Sequence, residues 1–422
     1  MDLPSFQEPF PDELLVSRGL QWRKWPLTHF AVPFALSSRQ RALLHEAVPA
    51  LHRGALAVVR AFREDPSLRR LFGYGALHES FILQEPGYSP EIPLGRLDSY
   101  LYPDAVKFLE YNTDGTAGWH YAAALAALWR ERAGLPPERA PLGRRLFETL
   151  LACYRQWSGG EPPARMALVD WADVGTAPEQ RALARAFTGW GVPCTLEDPS
   201  RLRFTAGRLV GEAGPLDLVY RRVVSEEVFA EPGRARGFLD ACRASAFGCV
   251  GGFCTDPAWS KLLFVVLSDP AWGHLFGEAD RRIFARTVPW TRLVGGGGTS
   301  YEGRAWGFES LLLSDRGRFL LKPAFGYQGE GVVAGPQVSG EAWRTAVLRA
   351  LQGGWVAQEY LAPVPWEHPW TKERYYVQVG EFVLIGRWAG LMVRVCARPV
   401  ITLDAVDLFL PAADEILGQE MP

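Results

Sequence analysis

Gly95-Arg96-Leu97-Asp98, and shortly after it Lys107-Phe108-Leu109-Glu110-Tyr111-Asn112-Thr113-Asp114-Gly115-Thr116, carry polar residues at alternating positions and end in a glycine turn. Phe108 to Tyr111 reads as a short buried strand. A polar turn closes it, and Ala117 to Arg132 follows as a helix with Trp119, Ala123, Leu125, Leu128 and Trp129 as its apolar positions. Side chains on an extended backbone point alternately to its two faces, so Glu110, Asn112 and Asp114 share one side. Asp98 lies on an earlier segment able to run alongside. Two carboxylates and an amide oxygen suit a hard cation such as Mg²⁺, with phosphate oxygens completing its shell. The competing reading is a strand end with solvated acids and an Asn turn.

Outward from this stretch, the 422 residues are 48% hydrophobic and 22% charged. That composition supports a large core and two or three lobes. A net charge of −2 provides no basic field, so no nucleic-acid partner is expected. The sixteen tryptophans either line a pocket or pack a core. Cys153, Cys194, Cys242, Cys249, Cys254 and Cys396 form no Cys-x-x-Cys and no zinc spacing with His. A reduced, cytoplasmic protein is the simplest account. Cys249 and Cys254 are either a redox pair or buried apolar thiols. The first residues lack a basic stretch followed by an apolar one, so no export signal is expected. No run of 18 apolar residues exists, so no membrane span is expected.

Residues 1–36, rich in Pro and aromatics, read as a wrap over a later domain. Ser37 to Phe62 reads as a helix: Ser37 and Gln40 suit a capping box, and Leu44, Val48, Leu51, Ala55, Val58 and Phe62 form its apolar face. Pro49 should kink it. A second helix is expected near Leu142 to Trp157. Between 163 and 224, strands at Met166 to Asp170, Val192 to Leu196 and Leu216 to Tyr220 alternate with a helix over Pro178 to Trp190, and a hairpin spans Leu202 to Val210. This implies a small open α/β sheet. No Gly-x-Gly-x-x-Gly follows its first strand, so a dinucleotide is not indicated. Residues 236–290 read as mostly helical. Gly295 to Gly298 reads as a flexible lid or loop. Phe319 to Lys322, Val332 to Ala334, Trp355 to Tyr360, Arg374 to Val379, Phe382 to Arg387, Ile401 to Leu403 and Leu408 to Leu410 read as strands, with Glu381 at a turn.

Three further segments carry chemistry. In Leu320 to Val333, Gly326, Gly329 and Gly331 allow backbone N–H groups to approach phosphate oxygens, and Lys322 adds a point charge. Val332-Val333 follows where a P-loop would open a helix, so a hairpin lid over nucleotide, or simply a long hairpin turn, is expected. Gln358-Glu359-Tyr360 ends a β-run and suits an adenine edge. Arg394 sits among apolar residues and requires an anion: a phosphate, the charge developing in acyl transfer, or a structural salt bridge.

Taken in order, Arg96/Asp98, Glu110/Asn112, Lys261, the Lys322 loop, Gln358-Glu359 and Arg394 resemble the circularly permuted ATP-grasp ligases, in particular the synthetase portion of glutathionylspermidine synthase. The resemblance covers roughly residues 90–411. It implies a fold of class α/β (α+β): a circularly permuted ATP-grasp fold with an inserted small open α/β (pre-ATP-grasp) domain and a helical N-terminal region. The expected divisions are 1–90, 91–162, 163–235 and 236–422. It implies that Asp98, Glu110 and Asn112 hold Mg²⁺, and that Arg96 contacts the transferring phosphate. It implies that Lys261, Lys322, the loop glycines, Gln358, Glu359 and Tyr360 hold ATP, and that Arg394 supports acyl-phosphate chemistry. The implied activity is ATP-dependent joining of a small carboxylate and an amine, peptide or polyamine among them. The family's Cys/His amidase is not expected, because the first cysteine is Cys153. The Lys261 to Lys322 interval reads as expanded, and Thr113 and Gly115 alter the substrate side. A nucleotide-binding protein without ligase activity and a phosphotransferase on the same fold are the alternatives.

Overall fold

The computed structural model describes residues 7–295, 297–326, 331–398 and 408–412. It is a mixed α/β structure organised by three larger sheets.

The first sheet is antiparallel and has six strands. Leu408–Leu410, Arg387–Cys396, Arg374–Leu384, Leu94–Leu101 and Val106–Asn112 follow one another across it, and Val364–Glu367 pairs with one end of Arg374–Leu384. Alternation divides its faces. Leu97, Phe108, Tyr111, Val379, Val383, Leu391 and Val393 point into the main core. There they meet Leu44, Val48, Leu51, Ala55, Val58 and Phe62 of the helix Ser38–Glu64. The capping box forms: the Gln40 N–H donates to Ser37 Oγ at 3.1 Å, and the Ser37 N–H donates to Gln40 Oε1 at 3.0 Å. The helix runs as one element of 27 residues with Pro49 inside it, so Pro49 does not end it.

The second sheet is parallel, in the order Gly248–Val250, Leu218–Arg221, Met166–Val169, Cys194–Glu197. Its fourth strand, Gly248–Val250, comes from beyond residue 235. Helix Ala177–Gly189 connects two of its strands, and a three-stranded meander begins at Arg203–Thr205. The third sheet is antiparallel, in the order Thr291–Leu293, Trp355–Glu359, Phe319–Pro323, Val333–Ala334. Phe319, Leu321 and Ala357 on one face pack against Trp343 and Val347 of helix Gly340–Ala350. Leu320, Lys322 and Gln358 therefore occupy the opposite face.

Three local expectations are corrected. Glu381 is not at a turn: Arg374–Leu384 runs straight through it, fully buried, and the turn falls at Ile385 and Gly386, both at positive φ. Gly298 is not part of a loop, because it opens the strand Gly298–Tyr301, paired with Arg304–Gly307. Cys249 is not paired with Cys254; its thiol hydrogen-bonds the Cys242 thiol, and all six cysteines are free. Gly296, Gly329 and the strand expected at Ile401 to Leu403 lie outside the described residues. The N-terminal segment does wrap: His29 and Phe34 bridge to Phe409 and Ala412. Among the described residues, no helix is long and apolar enough to cross a membrane.

Candidate active site

Register builds the floor of the site. Asp98 pairs with Glu110 on one side and Gly380 on the other, and Gly380 pairs with Met392. Arg96 pairs with Asn112, and Gln378 pairs with Arg394. Directly opposed residues share a face, so these side chains lie opposite the main core.

Asp98 is the centre of this floor. It is 1% exposed and sits between two guanidiniums. Arg96 donates to it from Nε at 2.7 Å and from Nη2 at 3.2 Å, and Arg394 donates from Nη2 at 2.9 Å. Burial pushes its carboxyl up, but Arg96 and then Arg394 outweigh that and hold it below the usual range. Arg96 Nη1 also donates to the Ala117 carbonyl at 2.6 Å, and Arg394 donates to Gln378 Oε1 at 3.0 Å. Of the partners foreseen for Arg394, the salt bridge is present. Gly380 makes room for this arrangement: a Cβ there would lie 2.6 Å from Arg96 Cδ and 3.1 Å from Asp98 Oδ1.

Glu110 and Asn112 stand beside this triad, both half-buried, with Asn112 Nδ2 donating to Glu110 Oε1 at 3.4 Å. Lys261, at the start of helix Leu262–Ser268, donates from Nζ to the Gly326 carbonyl at 2.5 Å and lies 4.0 Å from Glu110 Oε2. Lys322 is 7% exposed and has no ion pair within 4 Å among the described residues. Burial pushes its ammonium down to about 8; Glu110 pulls it back up, and Lys261 adds to the fall.

The adenine-edge candidates have partners of their own. The Glu359 N–H donates to the Trp290 carbonyl at 2.8 Å and the Tyr360 N–H to the Arg318 carbonyl at 2.7 Å. Glu359 Oε1 accepts from the Tyr301 hydroxyl at 3.3 Å. The two N–H groups expected to face a base are thus committed, and Leu361 offers the next one. Gln358 donates to Thr291 Oγ1 at 3.0 Å, and its Oε1 has no partner among the described residues.

One cavity of about 1070 Å³ brings these groups together. Arg96, Asp98, Glu110, Asn112, Lys261, Lys322, Gly326, Gln358, Glu359, Tyr360 and Arg394 all line it. Gly331 does not: at φ +73° it stands at the hairpin base, where a Cβ would lie 2.9 Å from Pro323. Asp114 does line the cavity, but it is already engaged. Its carboxylate pairs with Arg221 at 2.6 Å, both side chains fully buried, and accepts the Ser225 N–H at 2.8 Å. Its role is to fix the turn after the Glu110 strand.

The remaining end of the cavity was not foreseen. Trp22, Arg23 and Trp25 of the N-terminal hairpin line it together with Trp171, Arg222 and Arg234. Arg222 is 2% exposed; its Nη2 reaches Glu179 only at 3.5 Å, and its Nε and Nη1 meet no acceptor among the described residues. The sequence signal was the Arg221-Arg222 pair directly after a buried strand. A smaller cavity of about 400 Å³, at the end of the parallel sheet, shares Asp170 and Trp171 with the large one.

The donor set suits Mg²⁺ in kind: Glu110, Asn112 and Asp98 offer only oxygen, and the phosphates of a nucleotide would complete a shell. Both Asp98 oxygens already accept from guanidiniums, so Asp98 would share an oxygen, whereas Glu110 and Asn112 have lone pairs to give.

No family model and no curated protein matches the chain in sequence. Solved structures resemble it in fold. A glutathione synthetase-like effector from Globodera pallida in its apo form superposes with a TM-score of 0.57 at 13% identity, over 96% of this chain and 95% of that one. A putative gamma-glutamylcysteine synthetase from Methylobacillus flagellatus KT gives a TM-score of 0.40 at 10% identity, over 87% and 85%. Across nearly its whole length, the chain has a fold similar to that of the glutathione synthetase-like effector.

Proposed function

We propose that this protein is an ATP-dependent carboxylate–amine ligase built as a circularly permuted ATP-grasp fold, with the α/β unit from about residue 163 as the inserted domain. The observation that carries this reading is the shared cleft. Oxygen-bearing side chains from the first third of the chain and two lysines from later segments line one cavity large enough for a nucleotide and a second substrate.

In this reading Lys322 and Lys261 attract the phosphates of ATP, with Gly326 beside them, and the base lies along Gln358 to Leu361. Glu110 and Asn112, with a shared oxygen of Asp98, would hold Mg²⁺, which supplies charge neutralisation on the phosphates. The substrate carboxylate attacks the γ-phosphorus, ADP leaves, and an acyl phosphate results. Arg96, held by Asp98 and the Ala117 carbonyl, faces the transferring phosphoryl group, and Arg394 adds positive charge where the oxyanion develops. An amine then attacks the acyl carbon, phosphate leaves, and the amine nitrogen loses a proton as the amide forms. Orientation and electrostatics do most of the catalysis.

The test couples ADP release to hydroxamate formation, with hydroxylamine as a generic amine and a panel of carboxylic acids. Acid-dependent ADP release with hydroxamate is the expected result. Replacing Glu110 with Ala should lower it about a hundredfold with little loss of thermal stability, because Glu110 is half-buried and its contacts with Lys261 and Asn112 are long. No ADP from any acid, and no bound nucleotide, would sink the proposal. Nucleotide binding without turnover is the second reading, and the double engagement of Asp98 by arginines favours it. Nucleotide-dependent stabilisation with no ADP formed is its signature, and a phosphorylated product instead of an amide would mark a phosphotransferase.

A further inference from the structure

At 64%, Trp25 is the most exposed large apolar side chain among the described residues, and it stands in the wall of the cleft. Leaving an indole in water is unfavourable, because its apolar surface stays hydrated. The hairpin that carries it is tiny: Gln21 pairs with Pro26 and Trp22 with Trp25, and Arg23 and Lys24 make the turn. Two strands of this length have no stability of their own, yet the hairpin is firmly anchored. The Trp22 ring lies on Gly175, where a Cβ would come within 2.6 Å of it. The Arg23 N–H donates to the Gly175 carbonyl at 2.8 Å, and the Tyr121 hydroxyl donates to the Gln21 carbonyl at 2.7 Å. Arg23 is held at φ +54°, where glycine or asparagine would sit more easily. Strain of this kind persists where the surroundings fix it, and it collects at ligand sites. The hairpin thus holds a flat apolar ring and a guanidinium in the wall of the same cleft that Lys322 lines.

We propose that this hairpin is the substrate-selecting element of the cleft, and that it favours an aryl-bearing carboxylic acid, with Trp25 stacking on the aryl group. Stacked aromatic pairs contribute beyond simple burial, and the anchored hairpin loses little freedom when the ring is covered. Lys24 Nζ lies 5.0 Å from the centre of the Trp25 ring, and Arg23 lines the same wall, so the surroundings favour an anion. The inference rests on the ligase reading above and adds the class of acid.

The experiment measures hydroxamate formation with ATP, Mg²⁺ and hydroxylamine, comparing 3-phenylpropanoate with butanoate and glutarate in the full chain. KM for 3-phenylpropanoate should be at least about tenfold below that for butanoate. Trp25→Ala should abolish that difference while kcat and the KM for ATP stay as they were, and Trp25→Phe should restore most of it. A purely structural tryptophan would instead lower thermal stability and raise both KM values together. Equal KM values in the wild type, or discrimination that survives in Trp25→Ala, would overturn the inference. Turnover of glutarate alone would overturn it too, leaving the ligase reading intact; no hydroxamate from any of the three acids would overturn it as well. If nucleotide binding is also missing, the ligase reading goes with it.

Discussion

Lys322 is a cation kept ready. Its ammonium is buried in the cleft wall, without an ion pair among the described residues, and burial lowers it to about 8. The sign of the consequence follows. Below about pH 8 the group is charged and, in the proposed reading, would attract phosphate; above it the group is neutral and would not. Since kcat/KM reports the free enzyme, kcat/KM for ATP should be level below about pH 8 and fall towards tenfold per unit above it. An arginine stays charged throughout this range. In Lys322→Arg the alkaline fall should therefore vanish, even if the absolute value is lower. A pH–rate series on both proteins checks this, and an identical fall in the two would assign the titration to another group. Asp98 is the opposite case. Two arginines fix its charge, so it should remain ionised across the whole series.

At the scale of strands, what matters is which residues face each other, and Gly380 is the clearest case. It lies opposite Asp98, and the Arg96 side chain crosses the space a methyl would take. Gly380→Ala should push Arg96 off its bidentate contact. An error of about 1 Å near the chemistry costs about a hundredfold in rate, while overpacking of this kind costs about 1–3 kcal/mol. Steady-state ADP release and a melting curve on the same variant separate the two effects. Wild-type turnover in Gly380→Ala would mean that the Arg96–Asp98 geometry is not needed. Such a position illustrates what the sequence hides. That Asp98, Glu110 and Asn112 share one face was legible because alternation alone puts Glu110 and Asn112 on one side and the Glu110 strand invites a partner. Gly380 was not, since its meaning is an absence that only the register with a distant strand creates. Gly380-Glu381 looked like a turn for the same reason. The real turn uses Ile385 at φ +48°, a conformation that a β-branched residue rarely adopts. Arg394 was legible as needing an anion, although which anion was fixed only by the strand between it and Asp98.

Across the whole molecule, the cleft is a product of long-range assembly. The residues that line it come from the N-terminal hairpin, the strands at 94–112 and the turn after them, the segments at 170–176 and 222–234, the turn and helix start near 261, and the strands from 319 onward. Local patterning foretold most of these elements one by one, but not that the first thirty residues would form one end of the cleft. That end is set by contacts with Gly175 and Tyr121, and by the parallel bridges from His29 and Phe34 to Phe409 and Ala412. A ligand that touches both the Asp98 sheet and the Lys322 sheet binds only when the two are correctly placed, so it stabilises the folded chain as a unit. The gain is about 2.7 kcal/mol at a concentration a hundred times Kd. A non-hydrolysable ATP analogue with Mg²⁺ should therefore raise Tm in a concentration-dependent way. Lys322→Gln, which removes the phosphate charge from one sheet, and Glu110→Ala, which removes an oxygen from the other, should each reduce the rise. If only the lysine variant does so, the nucleotide is held by one sheet alone, and the two halves of the cleft are not bridged in the way the ligase reaction requires.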